Sequence, residues 1–157
     1  TPTITRTPTI TPIASSTPTA SATPTITPTP TPLPLDESKD EEPDLAIPDG
    51  PNGVATSTMS FPHAVTIREA RVFLNIDHDD VADLEVNLIH PDGTLLRIRS
   101  QGEDDGDDDI RRWFSITGAA LNSIRGKPSQ GTWTLQVIDT IEGRTGELLS
   151  WSLEIYP

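Results

Sequence analysis

Cysteine is absent from this chain of 157 residues, aromatic residues make up 4% of it, and 11 basic residues stand against 24 acidic ones. Without cysteine the chain has no disulfide framework, no thiolate metal site and no cysteine nucleophile. The net charge of −13 argues against nucleic acid and anionic membranes as partners and favours cations. No apolar run approaches the roughly 20 residues of a membrane-spanning helix. We therefore expect a domain whose stability rests on an apolar core.

The first 34 residues have a composition that does not fold by itself. They consist almost entirely of Thr, Pro, Ile, Ala and Ser in Thr-Pro and Thr-Ile-Thr-Pro units, and such a segment buries too little apolar surface to offset its chain entropy. We expect an extended spacer of roughly 100 Å, at about 3.1 Å per residue. Two interpretations stay open: an O-glycosylated stalk, typical of secreted and surface proteins, and an unmodified disordered tail.

An acidic run follows this spacer and marks its end. Six of the nine residues from 36 to 44 are acidic, a density typical of a solvated linker rather than of a site. We place the domain boundary near residues 45–48. The sequence is thereby divided into a disordered linker over residues 1–46 and one folded domain over residues 47–157, which is long enough for a single core.

The folded part has the two-residue periodicity of β-strands. Apolar and polar residues alternate over residues 70–76, 84–88 and 149–155, so each segment has one face for a core and one for solvent. Pro91-Asp92-Gly93 is a turn sequence, because Pro fixes φ and Gly accepts a positive φ. It predicts a hairpin between the second of these strands and residues 95–99.

Two further apolar runs, at residues 113–116 and 132–138, bring the predicted strands to at least six. Only residues 119–124 are compatible with a helical turn. Short strands separated by Gly, Pro and Asp are typical of two packed sheets. The predicted fold class is therefore all-β, an antiparallel β-sandwich or jelly roll.

Four segments have a characteristic order and spacing. They are Ile76-Asp77-His78 with residues 83–88, Pro91-Asp92-Gly93-Thr94, residues 131–139, and Gly146-Glu147-Leu148 with Trp151-Ser152-Leu153. Together, over about residues 47–156, they resemble the P domain, also called the Homo B domain. This domain follows the subtilisin-like catalytic domain of kexin- and furin-type proteases and ends many bacterial secreted proteases. Two positions depart from the pattern: Ala82 stands where Gly is common, and Arg144 where Asp is frequent, which removes a possible cation ligand.

The resemblance implies a role without chemistry of its own. It implies a non-catalytic accessory domain of a secreted, bacterial, subtilisin-like serine endopeptidase or similar hydrolase, with the catalytic domain upstream of this chain. It also implies that the domain supports the folding, stability and calcium dependence of that enzyme, outside the cell or at its surface.

Acidic residues are concentrated between Asp77 and Asp109, where twelve stand against two arginines. Oxygen ligands clustered on loops suit Ca²⁺, which accepts six to eight of them. The predicted ligands lie on three loops: Asp77, Asp79 and Asp83 on the first; Asp105 and Asp107, with Asp109, on the second; Asp139, with Glu142, on the third. The EF-hand pattern fails, because the sixth position from Asp105 is Ile110 rather than Gly. The alternative is an exposed acidic loop that binds nothing tightly.

No catalytic motif orders the Ser, His and Asp residues of the chain. The nucleophile-elbow, zinc-protease, phosphate-loop and dinucleotide signatures are absent, and we expect no catalytic or cofactor-binding residue. His78 is expected to be an exposed loop side chain rather than a ligand or base. His63 and His90 each adjoin a Pro, a turn setting, and are expected to do no chemistry.

The three tryptophans invite a second interpretation of the function. Trp133 and Trp151 lie on the apolar side of their predicted strands, so we expect both in the core. Trp113 follows Arg111-Arg112 and is expected to be partly exposed, which makes it the aromatic residue to test for binding. The alternative function is a secreted carbohydrate- or protein-binding or adhesion module. A structural cap at the end of a surface array is a third possibility.

Overall fold

Nine strands form two antiparallel sheets in residues 37–103 and 109–157, the part of the chain that the computed structural model describes. The strands are β1 (Glu37–Glu41), β2 (Leu45–Ile47), β3 (Ala55–Phe61), β4 (Glu69–His78), β5 (Leu84–Ile89), β6 (Leu95–Arg99), β7 (Ile110–Ser115), β8 (Gly131–Asp139) and β9 (Gly146–Tyr156). A 3-10 turn, Val81–Asp83, precedes β5, and helix α1, Gly118–Ile124, follows β7. The predicted all-β antiparallel fold and the predicted helical turn are confirmed. The predicted Thr/Pro spacer over residues 1–34 lies outside the described residues.

The first sheet has the strand order β1-β9-β4-β7, with β2 also paired to β9, and the second has the order β3-β8-β5-β6. The β5–β6 pairing confirms the predicted hairpin. Its turn closes through a hydrogen bond from His90 N to Thr94 O at 2.9 Å, with Gly93 at φ +88°. In the described part of the chain, no helix is long and apolar enough to cross a membrane.

The core lies between the two sheets and follows the predicted alternation. Trp133 and Trp151 are fully buried, as predicted. Each indole satisfies its N–H inside the core, Trp133 Nε1 by donating to Ser129 O and Trp151 Nε1 by donating to Ser57 Oγ, both at 2.9 Å. The largest apolar side chains thus bury their only polar group without leaving it unpaired, as a stable core requires.

Strand pairing begins earlier in the chain than the sequence indicates. β1 comes from the acidic run and pairs with β9, from Glu37 opposite Ile155 to Glu41 opposite Trp151. Its charged residues carry no apolar alternation, because β1 lies at the edge of its sheet, and charges on an edge strand discourage further pairing. β1 and the first two residues of β2 therefore lie within residues 1–46, the segment predicted to be a linker.

Two pairings decide which loops meet at one end of the sandwich. His78, the last residue of β4, lies opposite Gly146, the first residue of β9. Leu84, the first residue of β5, lies opposite Asp139, the last residue of β8. Residues 79–83 and residues 140–145 are therefore neighbours, and we call them together the acidic end.

Candidate functional site

At the acidic end, Asp80 and Asp83 share the guanidinium of Arg144. Asp80 caps the 3-10 turn, with its Oδ1 accepting from Ala82 N at 2.9 Å, and its Oδ2 contacts Arg144 Nη1. The same Nη1 donates to Asp83 Oδ2 at 3.1 Å. Asp83 is only 8% exposed, and its carbonyl oxygen accepts from Thr140 N and Oγ1 at 3.0 and 2.6 Å. One cation from the second loop thus neutralises two carboxylates of the first.

Asp79 binds the second loop beside this cluster. Its Oδ2 accepts from Thr145 N at 2.9 Å and from Thr145 Oγ1 at 3.2 Å, and these hydrogen bonds hold the pKa of Asp79 below its usual range. Asp77 is exposed. Asp77 and Asp79 line one shallow cavity of about 360 Å³, together with Glu147.

His78 is buried, and the prediction that it is an exposed loop side chain is wrong. It is 1% exposed, and its Nε2 faces Asp139 Oδ2 at 3.5 Å, with both side chains fully inaccessible. Its Nδ1 lies 2.8 Å from Asp80 O. β4 runs two residues further than the apolar alternation suggests, and the period of two places position 78 on the inner face. That signal was present in the sequence, because His78 continues the phase of Leu74 and Ile76.

The predicted calcium ligands do not form one set in the described residues. Asp79 is held by Thr145, Asp83 by Arg144, and Asp139 faces His78. Asp105 and Asp107 lie outside the described residues. Within residues 37–103 and 109–157, no group of three or more His, Asp or Glu side chains is placed to hold a metal ion. Because a positively charged guanidinium already lies between Asp80 and Asp83, the donors at this point do not fit Ca²⁺.

His90 supports the opposite end of β5. It is 3% exposed, its ring packs edge-on against Trp133 with centroids 4.8 Å apart, and its Nδ1 lies 2.8 Å from Asp92 Oδ1. Asp92 also accepts from Lys127 Nζ at 2.5 Å and from Thr94 N at 2.9 Å. The Lys127 contact, followed by those of Thr94, holds the pKa of Asp92 far below its usual range. Both buried histidines therefore contact the loops beside them.

Trp113 is the most exposed aromatic feature of the described surface, at 39%, as predicted. The Trp113 ring contacts the Phe73 ring, with 5.4 Å between the ring centroids. The Arg71 guanidinium lies 4.4 Å from the centroid of the Trp113 ring. Arg71 also pairs with Glu154, which accepts a hydrogen bond from Tyr156 OH at 2.8 Å. No sequence motif marks Arg71, Glu154 and Tyr156, because Arg71 becomes a neighbour of the other two only through the β4–β9 register.

Comparison with known proteins finds similarity to one part of several bacterial proteases. The family model of the proprotein convertase P-domain matches residues 67–155. The chain is 34% identical over 116 residues to the calcium-dependent protease of Nostoc sp.. This alignment covers 70% of the chain and 18% of the Nostoc protein. The chain is also 39% identical over 100 residues to the extracellular basic protease of Dichelobacter nodosus. That alignment covers 62% of the chain and 15% of the Dichelobacter protein.

A solved structure supports the fold. The serine protease of Aeromonas sobria superposes with a TM-score of 0.58 at 22% identity, over 80% of this chain and 27% of that one. The chain thus spans less than a third of the length of these relatives. The matched residues 67–155 include the acidic end and the strands β4, β5, β8 and most of β9. The chain belongs to the proprotein convertase P-domain family.

Proposed function

We propose that this chain is the non-catalytic accessory part of a secreted bacterial serine endopeptidase of the subtilisin type, whose catalytic domain lies elsewhere in the complete protein. The main observation behind this proposal is that two His–Asp contacts of the described residues serve the structure: His78 and Asp139 are fully buried, and His90, beside Asp92, supports a turn. A general base must reach a substrate, and these rings do not. The relatives are proteases, and most of their length lies outside the match.

The domain acts in this proposal by stabilising its protease. The Thr/Pro composition of residues 1–34 favours a stiff spacer. Such a spacer lowers the effective concentration of this domain at the catalytic domain, so the two need not be docked permanently. The Nostoc relative is named a calcium-dependent protease. The predicted ligands of a calcium ion in this chain stay Asp77, Asp79, Asp83, Asp105, Asp107 and Asp139, of which Asp79 and Asp83 also accept hydrogen bonds from Thr145 and Arg144.

Two measurements test the accessory role. Incubated with a fluorophosphonate probe for activated serines, the full chain is expected to remain unlabelled, and specific labelling would contradict a non-catalytic role. The complete protein that contains this chain is then compared with a version that lacks residues 37–157. We expect the shortened protease to lose activity faster on heating. Equal half-lives would contradict a stabilising role.

A binding module is the second candidate, and the exposed Trp113 favours it, since aromatic side chains exposed in a patch mark interaction sites. Retention of the chain on cellulose, chitin or peptidoglycan, lost in Trp113→Ala, would support this function. Leu95→Ala is the matched control, because Leu95 is exposed and apolar but lies on β6 in the other sheet. No retention on any of these glycans would count against carbohydrate as the ligand.

A further inference from the structure

Arg144 is the single Lys or Arg residue in the two segments that meet at the acidic end. Four of the seven residues from 77 to 83 are acidic, and the segment 139–147 adds Asp139, Glu142 and Glu147. Like charges at this density repel one another unless a positive charge lies among them. The position of Arg144 therefore decides whether the two loops attract or repel.

The geometry of Arg144 is that of a bridging cation. A single atom, Nη1, contacts carboxylate oxygens of both Asp80 and Asp83. The Asp83 side chain is 12% exposed, and a carboxylate with so little access to water requires a partner of opposite charge. Two carboxylates that converge on one positive centre are also the arrangement in which loops hold a divalent cation.

We propose that Arg144 is a built-in cation, which takes the position of a metal ion between Asp80 and Asp83 and joins residues 79–83 to the loop before β9. This inference concerns the domain by itself and does not depend on the proposed protease function. It has two consequences. The two loops are joined in the absence of Ca²⁺, and removal of the positive charge turns Asp80 and Asp83 into a site for a cation.

Thermal unfolding of the full chain in Ca²⁺ and in chelator tests both consequences. Arg144→Asp replaces the guanidinium by a third carboxylate. We expect its midpoint in chelator to fall below that of the wild type, and to rise in saturating Ca²⁺ by about 5 °C more than the wild-type midpoint does, because a ligand that binds only the folded state stabilises it. The added Asp83→Asn substitution is expected to abolish the rise.

Arg97→Asp is the matched control. Arg97 is exposed to a similar extent as Arg144, 49% against 45% for the side chains, but among the described residues its Nη1 pairs with one carboxylate, that of Glu85, at 2.8 Å. An aspartate at position 97 therefore creates no set of three converging acids, and we expect no added calcium response. Near-UV circular dichroism of the buried tryptophans reports whether each variant is folded.

If Arg144→Asp does not fold in chelator, refolding in Ca²⁺ and the neutral variant Arg144→Gln decide the matter, with Tb³⁺ luminescence as the binding measurement. The proposal expects Tb³⁺ to bind Arg144→Gln at least tenfold more tightly than the wild type. Equal binding by both, or no binding by either, overturns it. A rise of the wild-type unfolding midpoint in Ca²⁺ that the single substitution Asp83→Asn abolishes would also overturn the proposal. The ion would then bind at Asp83 while Arg144 is present.

Discussion

At one end of β5 a loop with Asp80 and Asp83 contacts Arg144, and at the other end a turn with Asp92 contacts Lys127. Each cation comes from a distant part of the chain. The two ends differ in burial, because the Asp83 side chain is 12% exposed, whereas the Asp92 side chain is 42% exposed. Water screens an exposed ion pair, while a buried carboxylate depends on its partner. We therefore expect the two ion pairs, at the two ends of β5, to differ in how much stability the protein loses when each is removed.

The sequence separation of the contacts also differs between the two ends. The turn after β5 is closed by neighbours in sequence, with Thr94 N donating to Asp92 Oδ1 at 2.9 Å and a left-handed Gly93. The contacts of the acidic end join Arg144 to residues 61 and 64 positions away. The 3-10 turn at the acidic end also has a local cap, Ala82 N donating to Asp80 Oδ1 at 2.9 Å, but the contacts that join its two loops come from residues that are remote in sequence.

The largest effect on stability is expected for Trp133→Ala, which removes packing from the core and from the turn after β5. Trp133 is fully buried and supports the His90 ring. We expect the free energy of unfolding, measured in urea, to fall by about 3–5 kcal/mol. Trp113→Ala is the control, because Trp113 is 39% exposed, and an equal loss at both positions would contradict the difference in burial.

Gly146→Ala is expected to have the next largest effect, at the acidic end. A Cβ at this position would lie 2.3 Å from His78 Cδ2 and 2.6 Å from Asp77 O, so the backbone must shift. Such overpacking costs about 1–3 kcal/mol. Ser152→Ala, which removes a single hydroxyl from the same strand, is the control for β9. A neutral Gly146→Ala would show that His78 is not packed against this glycine.

Arg144→Gln and Lys127→Gln compare the ion pairs at the two ends of β5 directly. Loss of the partner of a buried carboxylate is expected to lower the free energy of unfolding by about 1–2 kcal/mol, with allowance for the partial exposure of Arg144. Lys127→Gln, at the exposed turn end, is expected to have a smaller effect that largely disappears in high salt. Urea denaturation at low and high ionic strength measures both. An effect of Lys127→Gln equal to that of Arg144→Gln would remove the distinction that burial makes.

The smallest effect is a dependence on pH that the two ends share. The pKa values of Asp79 and Asp92 are lowered in the folded protein, so each contributes stability that is present above the ordinary carboxyl pKa of about 3.9 and is lost as the pH falls through the folded value. We expect Asp92→Asn and Asp79→Asn to flatten the loss of stability below about pH 4. A steeper loss in either variant would contradict the direction of its shift.

Short-range patterns were sufficient for most of the fold. The alternation over residues 70–76 and 149–155 predicted the central strands β4 and β9, and Pro91-Asp92-Gly93 predicted the β5–β6 hairpin. Each of these predictions rests on an interaction between residues that are near in sequence, or on a periodicity that one strand carries alone. β1 was missed because an edge strand rich in charge has no such periodicity.

The acidic end shows where such patterns stop. Asp79 and Asp83 are among the predicted calcium ligands of the first loop, and their hydrogen-bond partners in the structure are Thr145 and Arg144, from a loop more than 60 residues away. The sequence marked Arg144 as a departure from the family pattern without indicating what it contacts. Its partners follow from the pairing of β4 with β9 and of β5 with β8, which a list of acidic residues does not contain.

The sequence by itself determined the fold class, the hairpin, the buried tryptophans and the resemblance to the P domain, because periodicity, turn residues and motif order are properties of the chain. Only the tertiary structure decided that Asp139 is the residue facing His78 and that a guanidinium lies between Asp80 and Asp83. The physical reason is that electrostatic partners are chosen by distance in space, and distance between remote residues is set by strand register.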